Sequence, residues 1–80
     1  MKRTVKLDRE PFLPFVTLTV DNGSTEELEA EEARAWFRAR GADMDQVEKC
    51  LDHVWNFYHA VFVINDYHDP VVLGHEQPKI

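Results

Sequence analysis

The sequence predicts an α+β fold: a small antiparallel sheet of three or four strands, order β-β-α-α-β-β along the chain, with a two-helix hairpin packed on one face. Three observations carry this expectation. A β-branched run with apolar residues at every second position lies at 15–20. Two stretches with apolar spacing of three and four follow, separated only by Gly41-Ala42. A continuous apolar run, AVFVI, then closes the middle of the chain at 60–64. Period two marks a strand, period 3.6 a helix, and a short unbroken run a buried strand.

The elements follow in order. Thr4-Val5-Lys6-Leu7 alternates weakly and reads as a short strand, and Asp8 to Pro14 (DREPFLP), with two prolines, reads as a connection. Phe15-Val16-Thr17-Leu18-Thr19-Val20 is the clearer strand, with Val16, Leu18 and Val20 on one face. Asp21-Asn22-Gly23 turns the chain. Ser24 is expected as the N-cap of the first helix, with Glu27 three residues on completing a capping box. Glutamates in its first turns, Arg38 and Arg40 in its last, and Gly41 as terminator complement the helix dipole and the left-handed C′ position. At 100° per residue, Glu27, Glu31, Arg34 and Arg38 span about 60° and form the solvated face. Ala33 and Trp36 lie opposite, with Phe37 towards the margin of the apolar arc.

Asp43 caps the second helix. Met44, Val47, Cys50, Leu51, Val54, Trp55, Phe57 and Tyr58 share one arc of about 160°, and Asp45, Glu48, Lys49, Asp52, His53 and Asn56 share the other. From about His59 the period changes to that of a strand expected to be buried on both faces. Asn65 to Pro70 is a turn-rich loop, and Val71-Val72-Leu73 reads as a short edge strand returning before Gly74.

Eighty residues make one domain, 1–80, with 1–3 and 75–80 frayed, near the lower limit of what folds alone. At 44% apolar and 30% charged residues the composition is that of a globular chain. One cysteine forms neither an internal disulfide nor a multi-cysteine zinc site, which fits a cytoplasmic setting. MKRTVKLDRE has basic residues with no apolar run behind them and is not a signal peptide, and AVFVI is far too short to span a bilayer. The net charge is −6: residues 1–20 carry +2, residues 21–52 carry −6 and residues 53–80 carry −2. Such a chain repels phosphate backbones, so neither direct nucleic-acid binding nor a membrane partner is expected.

The chemistry-bearing residues point away from catalysis. Cys50 has His53 three residues on but falls inside the apolar arc, where burial raises a thiol's pKa and leaves it inert. The histidines lack the i, i+4 helical spacing that holds zinc. His59, Asp66 and His68 are the weak metal candidates, and no cofactor is expected. The carboxylates fall on solvated arcs without the desolvation a general acid needs.

Five Phe, two Trp and two Tyr are many to bury in a domain of this size. Phe12 and Phe15, on the proline-flanked segment, and Phe37 are the aromatics expected at the surface, where an exposed patch marks a protein interface. The leading expectation is therefore a non-enzymatic protein-interaction or regulatory module, alone or as a homodimer. It would bind another protein through this aromatic surface or through an open sheet edge. One alternative is an acidic inhibitor of the kind encoded by viruses or mobile elements. It would occupy another protein's nucleic-acid-binding site with Glu27 and Glu31. The other is a small metal- or ligand-binding protein centred on the late histidines and Asp66.

Overall fold

The computed structural model describes residues 1–21 and 23–70. It contains six elements: β1 (Arg3–Asp8), β2 (Phe15–Val20), β3 (Ser24–Glu29), α1 (Ala30–Ala39), α2 (Met44–Phe57) and β4 (His59–Ile64). The strands form one antiparallel sheet of order β3-β2-β1-β4. Both helices pack on one face, so the architecture is the expected α+β sheet with a helical hairpin, in the order β-β-β-α-α-β. Val71–Leu73, the fourth strand expected from sequence, lies outside the described residues.

The correction concerns Ser24–Glu29. These residues are a strand, and Ser24 caps no helix. Asp21 takes the positive φ (+41°) that tight hairpin turns require, and Gly23 N–H donates to Val20 O at 2.9 Å. The turn sets the register Val20↔Ser24 to Phe15↔Glu29. Pairing with β2 thus overrides the helical preference of a glutamate-rich segment. The helix starts five residues later than expected: Glu29 is the N-cap, and its N–H donates to Glu32 Oε1 at 3.0 Å.

The core lies between one sheet face and the helices. Val5 and Leu7 of β1, Val16 and Leu18 of β2, and Ala60, Phe62 and Ile64 of β4 meet Ala33, Trp36 and Phe37 of α1 and Val47, Leu51 and Val54 of α2. Phe37 is fully buried: its ring lies 5.1 Å from that of Trp36 and 5.0 Å from that of Phe62. The expectation that Phe37 reaches the surface is overturned, because the sheet covers a wider arc of α1 than a helical wheel allots. The helices are clamped by Arg34, which reaches Glu48 at 2.6 and 3.1 Å and Glu31 at 3.2 Å.

Gly41 ends α1 in a left-handed conformation (φ +86°), with Ala42 N–H on Phe37 O and Gly41 N–H on Arg38 O. A Cβ at Gly41 would meet His68 Cε1 at 2.9 Å and Asp66 O at 3.0 Å. Glycine therefore lets the hairpin close onto the loop that follows β4. No described helix is long and apolar enough to cross a membrane.

Candidate functional site

The residues proposed for chemistry are not brought together. His59 lies on the sheet face away from the helices, its Nδ1 2.8 Å from Asp8 Oδ1. Asp66 and His68 lie beyond the other end of β4, roughly 20 Å along the chain at a strand's rise per residue. Among the described residues no group of three or more His, Cys, Asp or Glu is placed to hold a metal ion. Cys50 is half-buried, and desolvation pushes its thiol pKa up to about 11, far from thiolate chemistry at neutral pH.

The two glutamates assigned to an acidic surface also separate. Glu27 projects from β3, opposite Thr17, and Glu31 lies on α1, where its carboxylate accepts from Arg34. The same guanidinium holds Glu48: its hydrogen bond keeps the Glu48 carboxyl below the usual range. They form no continuous acidic row.

Apolar groups instead collect in two places. The first is one end of the domain. Phe12, in the β1–β2 loop, is 96% exposed, and Phe57, at the end of α2, is 67% exposed; Leu13 and Tyr58 are exposed beside them in sequence. Arg9 bridges the two segments at this end. Its guanidinium donates to Trp55 O at 2.8 Å and to Leu13 O at 3.5 Å, and it packs 4.9 Å from the ring centroids of both Trp55 and Tyr58. The last turn of α2 has no basic residue of its own. Arg9, the residue after β1, supplies the missing positive charge, satisfying one of the orphan carbonyls and complementing the helix dipole. The loop bearing Phe12 is thus tied to the helix bearing Phe57. Sequence reasoning found Phe12 but missed Arg9, whose partner is 46 positions away.

The second place is β4 and the uncovered sheet face. β4 alternates: Ala60, Phe62 and Ile64 are buried, while Val61 and Val63 are 54% and 42% exposed. The expectation of burial on both faces is therefore corrected. Phe15 lies on this outer face, half-buried and paired with Glu29. Among the described residues β4 has β1 as its one strand neighbour, and none of them pairs with its other edge. Compared with known protein families, curated proteins and solved structures, the chain matches none.

Proposed function

We propose that this chain is a non-enzymatic protein-interaction module, and that its aromatic end, with Phe12 and Phe57 at the centre, is the surface that engages the partner. The observation carrying this reading is Phe12, a large apolar side chain left 96% exposed on a loop that Arg9 pins to α2. Burying one such ring contributes roughly 1.5–3 kcal/mol, enough to anchor a hot spot, and a loop already fixed loses little conformational entropy on binding. Leu13 and Tyr58 supply the surrounding contact area. The single, half-buried thiol supports a reducing, cytoplasmic setting.

The test is affinity capture from the native host with the intact chain and with the Phe12→Ala and Phe57→Ala variants, at low and raised salt. A partner retained by the intact chain at raised salt and lost from both variants is expected. Binding that survives both substitutions but falls steeply with salt would transfer the function to the acidic surface instead.

A further inference from the structure

The open edge of β4 carries an inference independent of the aromatic end. Arg9 N–H donates to Tyr58 O at 2.9 Å, continuing the β1–β4 ladder one step beyond Asp8↔His59. Antiparallel ladders alternate bonded and non-bonded pairs. Tyr58, Ala60, Phe62 and Ile64 therefore turn their backbone groups to β1, and His59, Val61 and Val63 turn theirs outwards. Asp21 N–H on Thr4 O at 2.7 Å fixes the same phase on the other side of β1. The edge is straight in register over six residues, without proline or bulge, and its outward side chains include two exposed valines. Proteins ordinarily guard such an edge with charge, proline or a bulge.

We propose that this edge is occupied by β4 of a second copy of the chain, antiparallel and centred on Val61, joining two four-stranded sheets into one. A two-fold axis through the Val61 pair sets His59 opposite Val63 of the other copy, and every open N–H meets an open C=O. On the outer face valine meets valine, and on the inner face the small Ala60 lies opposite the large Phe62. A shift centring the pair on Phe62 would instead oppose the two phenyl rings.

Charge selects the same partner. The groove flanking the Ala60 end of the strand is lined by Lys49 and His53 of α2, and the groove flanking the Val63 end by Asp43 and Asp66. Antiparallel pairing brings the Lys49 end of one copy against the acidic end of the other. The opposite edge, β3, carries Glu26, Glu27 and Glu29, so self-pairing there would crowd like charges. The interface is small, in the range of weak, concentration-dependent dimers.

The test is sedimentation of the full chain over a wide concentration range. Wild type should show a monomer–dimer equilibrium. Val61→Lys, at an exposed position, should keep the fold and raise the dissociation constant roughly tenfold or more by opposing two ammonium groups. Val61→Thr should stay close to wild type. Register is read separately with Val61→Cys in a Cys50→Ala background. Paired Cα atoms in a bonded antiparallel position are about 5.5 Å apart, within disulfide reach. That variant should cross-link on mild oxidation, while Thr17→Cys in the same background should not. A monomer at every concentration overturns the proposal and leaves the edge to the chain's own residues 71–80 or to a different protein. A dimer indifferent to Val61→Lys, or a Val61→Cys chain that fails to cross-link, overturns it equally.

Discussion

The two edges of the sheet differ as sharply as any two regions of this molecule. β3 reads STEELE and β4 reads HAVFVI, yet both are six-residue antiparallel strands with one strand neighbour each among the described residues. β3 exposes nearly every side chain and carries three carboxylates. One of them, Glu26, accepts the Trp36 indole N–H at 3.1 Å. β4 exposes valines and contributes Ala60, Phe62 and Ile64 to the core. The contrast teaches that two edges alike in geometry differ in chemistry: one carries carboxylates along its length, the other valines.

The largest perturbation acts on the side that supports β4. Phe37→Ala removes the ring that packs between Trp36 and Phe62. It should cost about 3–5 kcal/mol in chemical denaturation, a large part of a small domain's stability. A surface-like loss within about 0.5 kcal/mol would mean Phe37 is no core residue. Next, Gly41→Ala forces a side chain onto a left-handed backbone and against the His68 ring. A loss of about 1–2 kcal/mol is expected, read as a lowered Tm, with amide exchange accelerated first in the loop after β4.

A smaller change in stability but a visible one in behaviour comes from stripping the guard. Glu27→Val, in a Val61→Lys background, should alter stability by less than about 1 kcal/mol. Light scattering should nevertheless show new association through β3. Unchanged scattering would show that charge is not what closes that edge.

The smallest effect is one of pH. The hydrogen bond from Arg34 lowers the Glu48 pKa in the folded chain, so the pair's contribution is present above the unfolded carboxylate pKa and lost as pH falls through the folded value. The same contact raises the Arg34 pKa, which stays far above any working pH. Glu48→Gln should therefore flatten the acid limb of the stability profile slightly, and leave the profile above neutrality unchanged.

Much of the fold was legible because it is written locally. β2, α2, the Gly41 break and the change of period at His59 all follow from spacing within a dozen residues. β3 was not legible, because Ser24 and Glu27 spell a helix start and only the unpaired edge of β2 argues for a strand. A capping box does open α1, but five residues later than the expected one, at Glu29 and Glu32. Phe37 was misplaced for a related reason: a helical wheel knows the helix but not the breadth of the layer covering it. Of the candidate surface residues, Phe12 was legible from its proline-flanked setting. Arg9 and the outward valines of β4 were not. Their roles depend on partners half a chain away, and an apolar run looks the same whether one face or two are covered.

The placement of β1 bears on how the chain acquires its structure. β1 is an interior strand, bonded on one side to β2 within a dozen or so residues and on the other to β4, with Arg3 opposite Ile64. A meander of β1, β2 and β3 can assemble early, but the second flank of β1 waits for a segment about sixty positions downstream. Closing that loop raises the contact order and slows the final step. Until β4 arrives, Val5 and Leu7 lie beside unsatisfied backbone, making this interval the one in which the nascent chain is most exposed to wrong pairing.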